Sequence, residues 1–169
     1  MGLWGIKMKA NETKIESFLS LSKTRFAIPV YQRNYDWALF QCKQLLHDIM
    51  ETGKNDKTNA HFIGSIVYVH DDVYTASGLT ELTIIDGQQR LTTITLIYIA
   101  LYRLAKELDN QMLVNRIQKT YLINEFAPEE EKLKLKPTEN NKEALRHILN
   151  STDGEEFKGY SKIIENFDY

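Results

Sequence analysis

Cysteine is almost absent from this chain of 169 residues, where Cys42 stands alone. One thiol excludes a disulfide framework and any zinc site built from several thiolates. An excess of positive charge is also missing, since 21 Lys and Arg face 23 Asp and Glu for a net charge of −2. A protein that coats nucleic acid by bulk charge needs a strongly basic balance, so that class recedes, while a local basic site stays open. Long apolar runs are lacking as well. The strongest, Ile94 to Leu101, is too short to span a bilayer. The opening MGLWGIKMKA has no long apolar core of a secretion signal, and cytoplasmic residence is expected. The histidines His47, His61, His70 and His147 show no metal-ligand spacing, and no Gly-Lys-Ser/Thr phosphate loop occurs.

What is present suits a folded domain. Hydrophobic residues make up 43% and charged residues 26%, enough apolar material to offset the entropy of ordering the chain. The length fits one domain, or one domain and part of a second. Residues 1–7 look unlike the rest of the chain and read as an upstream extension, with Met8 as the natural start.

Asn11 is expected to cap a short helix through Ile15, Phe18 and Leu19. Thr24 to Pro29 reads as extended, because Pro29 biases Ile28 towards β geometry. An irregular turn over Val30–Asp36 leads to a helix over Trp37–Glu51, whose apolar side is Phe40, Leu45, Leu46, Ile49 and Met50. Phe62–Val69 has the β-branched, nearly continuous apolarity of a central strand. His70–Gly78 reads as a hairpin loop and Leu82–Ile85 as the next strand. That strand stops at Asp86-Gly87 and hands over to a long buried helix, Gln89–Leu108. Helical spacing resumes at Met112, Val114, Ile117 and Leu122. The charged stretch 125–138 reads as a loop with a short extended piece at Leu133 and Leu135. Two amphipathic stretches close the chain, one with Ala144, Leu145, Ile148 and Leu149, the other with Phe157, Tyr160, Ile163, Ile164 and Phe167. The last keeps helical spacing to the final residues without a stop signal, which suggests a chain cut from a longer protein.

Three segments could carry chemistry. In Ile84-Ile85-Asp86-Gly87-Gln88-Gln89-Arg90 a strand turns through glycine into a helix, and such a junction points free N–H groups and the positive helix end at one spot. Arg90 can fork onto phosphate oxygens, Asp86 can hold a metal ion or take a proton from water, and Gln88 and Gln89 can hold water or a sugar hydroxyl. The competing reading is a capping box, since Asp86 and Gln89 have its spacing. In the second segment, Ile28–Trp37, aromatic side chains beside Arg33 suit a base and its phosphate. Tyr31, Tyr35 and Trp37 could equally anchor the loop to the core. In the third, Gly64 and Ser65 inside a strong strand point to close approach by a backbone or ligand, or to a bulge.

IPVYQRNYDW, then FIGSIV, then IIDGQQRLTT, in that order, resemble the N-terminal domain of GmrSD-type modification-dependent restriction endonucleases, of the ParB/sulfiredoxin-like fold group. The resemblance implies binding and hydrolysis of a nucleoside triphosphate through the DGQQR segment, with Mg²⁺, in defence against phage with modified DNA. It implies DNA as partner of the full-length protein and a separate downstream nuclease domain of His-Asn-His type. The motif carries over onto Asp86, Gly87, Gln88, Gln89 and Arg90, and onto Tyr31, Gln32 and Arg33. The expected roles are catalytic for Asp86, Gln88, Gln89 and Arg90, and nucleotide-binding for Gly87, Arg90, Arg33, Gln32 and Tyr31. Asp86 is the metal candidate.

The expectation is an α+β fold, a small mixed sheet near Phe26, Ile66 and Ile84 covered by helices. Residues 8–108 would form the core and 109–169 a helical extension, with homo-oligomers open and no membrane contact. Three rival readings are a sensor of nucleotide or modified DNA that does not hydrolyse, a direct nuclease, and an interaction scaffold in which DGQQR only caps a helix.

Overall fold

A computed structural model describes residues 10–55, 60–74, 78–151 and 155–168, with only the backbone of 71–74. The extension expected over 1–7 lies outside the described residues. The fold is a small mixed sheet with helices, as the sequence predicts. Strand β1 (Thr24–Ala27) pairs in parallel with both β3 (Thr80–Asp86) and β4 (Leu135–Lys136), and β2 (Val67–Tyr74) pairs antiparallel with β3, giving the order β2-β3-β1-β4. Phe26 aligns with Leu82 and with Leu135, so these three share one sheet face. That face joins Ile84 and the helical residues Leu91, Ile94 and Ile99 in one core.

Helix α3 (Gln88–Glu107) is the central element and matches the expected buried helix within a residue. Its length and its apolar residues over most of the circumference explain why Leu91 and Ile99 are almost fully enclosed. Helix α4 (Gln111–Ile117), capped by the Asn110 side chain, runs into a π-helical turn, Gln118–Leu122, and both pack on α3. Helices α5 (Glu139–Asn150) and α6 (Lys162–Phe167) follow β4. Ile163 is fully buried, and Phe157, Ile164 and Phe167 lean on the core, so most of the C-terminal apolar stripe packs on the domain itself. Tyr160 departs from it, being exposed with its hydroxyl donating to Glu165.

Several expectations are corrected. The strand expected over 62–69 begins only at Val67 and runs through Tyr74, across much of the expected loop, and it lies at the sheet edge. The cause is Gly64, whose φ of 101° breaks the extended chain. Asn11 does not cap α1 (Ile15–Leu19), where Lys14 holds the cap position without a side-chain bond. Helix α2 spans Leu39–Lys54 and buries only Leu45, leaving Phe40, Leu46, Ile49 and Met50 exposed.

Candidate functional site

The β3–α3 junction turns at Gly87, whose left-handed backbone (φ 88°, ψ 8°) is the first position before α3. A Cβ there would sit 2.9 Å from the Ser65 carbonyl oxygen and 3.2 Å from the Ile66 Cα. Only glycine supplies both this conformation and this clearance. The capping box does not form: Gly87 is the cap, Asp86 ends β3, and no side chain caps α3. Among the described residues no acceptor meets the main-chain N–H groups of Gln88, Gln89 or Arg90. A helix of 20 residues therefore starts with open donors and the positive end of its dipole.

Two loops converge on that start. The Gln89 amide bonds the 31–37 loop twice, donating from Nε2 to the Asn34 carbonyl (3.1 Å) and accepting at Oε1 from the Asp36 N–H (2.9 Å). Gln88 Nε2 donates to the Arg33 carbonyl at 3.3 Å, and Gln32 Nε2 donates to the Ile85 carbonyl at 3.0 Å. On the other side, Arg90 Nη1 donates to the Ile63 carbonyl at 3.2 Å. A Cβ on Gly64 would overlap this guanidinium, lying 2.7 Å from its Cζ. The three segments singled out in the sequence are thus one structural unit, tied by bonds between residues 27 to 55 positions apart.

The expected site residues divide accordingly. Arg90 lies in the first turn of α3, half-buried, with its remaining N–H groups available beyond the Ile63 bond. Arg33 is held at the junction by its carbonyl, and its side chain is exposed. Tyr31 is exposed too, at 73%, whereas Tyr35 and Trp37 are loop anchors packed on the core. Gln88 is buried with Oε1 lacking a partner, so one acceptor faces inward without a donor. Gln89 has both ends of its amide committed to the loop, which makes it a positioning residue in this arrangement. The described cavities, one lined by Glu16, Tyr98 and Tyr121 and the other by Arg25 and Arg146, involve neither Arg33 nor Arg90. A concave pocket shared by those two arginines is not among them.

Asp86 is exposed at the strand end, and among the described residues no three His, Cys, Asp or Glu side chains gather into a metal cage. The exposed Asp86 carboxylate is an oxygen ligand of the kind Mg²⁺ takes, since that ion is commonly held by one or two carboxylates together with substrate phosphates.

Around Tyr35, one of the expected loop anchors, residues that sequence reading missed support the loop from behind. Tyr35 Oη lies 2.8 Å from Thr93 Oγ1 and 3.1 Å from Cys42 Sγ, and Asn166 of α6 donates to the Trp37 carbonyl at 2.7 Å and to Tyr35 Oη at 3.3 Å. Burial, with the Cys42 contact next, raises the Tyr35 phenol well above its ordinary range, so it stays neutral. Thr138, just before α5, donates to Asn34 Oδ1 at 2.8 Å. Cys42 is therefore a member of a polar cluster. Asn166 and Thr138 carry no local motif, and only the fold brings them to the loop.

A family model described as "GmrSD restriction endonuclease, N-terminal domain" matches residues 15–169. The chain belongs to this family. Comparison with curated proteins gives no match. The match begins at the first residue of α1 and includes α6, so β4, α5 and α6 are parts of the GmrSD N-terminal domain. The loop–α3–loop junction combines open main-chain donors with exposed Arg33 and Asp86. No helix among the described residues is long and apolar enough to cross a membrane.

Proposed function

We propose that this GmrSD N-terminal domain binds a nucleoside triphosphate at the start of α3 and hydrolyses it with Mg²⁺, within a restriction protein that acts on modified DNA in phage defence. In that protein the hydrolysis would control a nuclease domain outside this chain. The observation that carries the reading is the uncapped start of α3: open N–H groups of Gln88, Gln89 and Arg90 behind a left-handed Gly87. Helices α1, α2 and α5 also start without a side-chain cap; what sets α3 apart is that its open donors follow a glycine and lie near Arg90, Arg33 and the exposed Asp86.

Each residue then has a physical task. The α3 main chain meets phosphate oxygens, and the positive helix end favours their charge. Arg90, steadied by the Ile63 carbonyl, and the exposed Arg33 neutralise charge that grows on the transferred phosphoryl group. Asp86 would hold Mg²⁺, which would supply positive charge to the phosphate it meets. The alternative task for Asp86 would be to orient the attacking water. Gln88 Nε2 holds the Arg33 carbonyl at the junction, which keeps the Arg33 loop beside the start of α3. Exposed Tyr31 offers a ring face to the base. Gln32 and Gln89 hold the Tyr31–Arg33 stretch against the junction.

The test is phosphate release from each of the four ribonucleoside triphosphates, with and without Mg²⁺. Mg²⁺-dependent release that disappears in Asp86→Ala and Arg90→Ala supports hydrolysis at this junction. Saturable nucleotide binding without release would replace the enzyme by a sensor.

A further inference from the structure

Helix α6 reaches the α3 junction through one side chain. Asn166 Nδ2 donates to the Trp37 carbonyl at 2.7 Å and lies 3.3 Å from Tyr35 Oη and 3.4 Å from Cys42 Sγ. A carbonyl only accepts, which fixes the end of the Asn166 amide that faces it. Thr93 Oγ1 donates to the Gln89 carbonyl at 2.9 Å, so the tyrosine supplies the proton of the 2.8 Å contact between Tyr35 Oη and Thr93 Oγ1. A hydrogen-bonded path therefore runs from α6 through Tyr35 and Thr93 to the first turn of α3. Tyr35 and Trp37 follow closely on Arg33, so α6 grips the same loop that Gln88 and Gln89 hold from the α3 side.

The docking of α6 is evenly balanced. Its six residues are too few to stay helical without packing, and Ile163 is the one it fully buries. Asn166 Oδ1 is enclosed with no donor to meet it, a cost that water would remove once α6 lifted away. Docking thus satisfies the loop while leaving one acceptor of α6 itself unpaired. Elements that move in regulation are drawn from this low-stability end of a structure.

We infer that α6 is a regulatory latch on the α3 junction, with Asn166 as its positioning residue. Docked, it holds Tyr35 and Trp37 and keeps Arg33 beside the start of α3. Lifted, it frees that loop and weakens the grip on phosphate. The ligand in this inference rests on the triphosphate reading of the junction, whereas the latch itself does not. Linkage makes the coupling reciprocal, so a bound triphosphate favours docked α6 by the same factor.

Hydrogen exchange and nucleotide titration of the 169-residue chain test this in two arms. The first needs no ligand. Asn166→Asp keeps the shape and replaces the donor by an oxygen, and Asn166→Ala removes both. Each should speed exchange of the Asp36 N–H, which bonds Gln89 Oε1, and shift the Gln88 and Gln89 side-chain amide resonances. Phe167→Ala loosens α6 without touching the Asn166 bonds and should act in the same direction. Val114→Ala, a cavity in α4 with its stability loss measured by melting, should leave these signals in place. The second arm titrates each ribonucleoside triphosphate with Mg²⁺. Asn166→Asp should weaken binding at least about fivefold. In wild type, but not in that variant, triphosphate should slow exchange of the Glu165 and Asp168 N–H groups, which bond within α6 and its flanks. If wild type binds no triphosphate, the junction reading fails and the first arm alone decides the latch. Unchanged Asp36 exchange and glutamine resonances in both Asn166 variants would overturn it. Changes of equal size in Val114→Ala, or equal triphosphate affinity in Asn166→Asp with α6 exchange indifferent to ligand, would overturn it as well.

Discussion

Replacing Gln89 by Glu isolates one role of the DGQQR segment. The side chain keeps its shape and its acceptor for the Asp36 N–H, but the donor to the Asn34 carbonyl becomes a second oxygen. Gln89 is 6% exposed, so a carboxylate there is poorly solvated and faces a carbonyl oxygen where a hydrogen bond stood. A group left unsatisfied in such a place costs roughly 1–3 kcal/mol, and water reaching the exposed loop backbone favours the lower half of that range for the neutral variant Gln89→Met. For Gln89→Glu the penalty should depend on pH. Burial and the Asn34 carbonyl raise the folded-state pKa of the new carboxyl above its unfolded value. The unfolded chain therefore releases its proton first as pH rises, and the variant loses stability through and above the usual carboxylate range. As pH falls, the protonated acid regains a donor for the Asn34 carbonyl and stability recovers towards wild type. In thermal melts, a loss of about 1–3 kcal/mol corresponds to roughly 2–12 °C for a chain of this size. Melting wild type, Gln89→Met and Gln89→Glu between about pH 5 and 8 tests this. A Gln89→Glu melting temperature that tracks wild type at every pH would show that Gln89 does not hold the loop.

Gly87→Ala should cost about 2–4 kcal/mol in chemical denaturation, because a left-handed residue with a side chain costs roughly 1–2 kcal/mol and the Ser65 carbonyl, being backbone, has to shift; a loss below half a kcal/mol would contradict the close approach. Lys134 is buried with its ammonium donating to the Leu19, Leu21 and Thr120 carbonyls, and burial lowers its pKa to about 8. The unfolded chain keeps that proton longer, so wild-type stability should rise as pH increases from about 8, until buried tyrosines such as Tyr98, raised to about 12, reverse the trend above the ordinary phenol range near 10. Lys134→Met should remove the rise and cost roughly 1–3 kcal/mol at about pH 7 by leaving carbonyls without a donor. An unchanged pH profile in that variant would refute this assignment.

Local chemistry made part of this fold legible. Gly87 between a β-branched strand and a helical apolar pattern located the β3–α3 turn, and Pro29 marked the end of β1. The run Phe62–Val67 misled, because apolarity says nothing of where an arginine 27 residues later will lie, and Gly64 is bent where Arg90 rests. The roles of the glutamines were hidden for the same reason: their partners are 53 to 55 residues away. Lys134 and Arg25 look like surface charges in sequence, and only the packing of β4 and the π-helical turn encloses them. The apolar residues of α2 show the converse, since helical spacing gives a face but not what covers it.

The most direct test of the triphosphate site is a nucleotide titration into wild type, Arg90→Ala and Arg33→Ala, with folding verified by melting. A charge-assisted grip on phosphate is worth roughly 1.5–3 kcal/mol, so each loss should weaken binding about ten- to a hundredfold. Equal affinity in all three folded proteins would contradict a phosphate site at the start of α3.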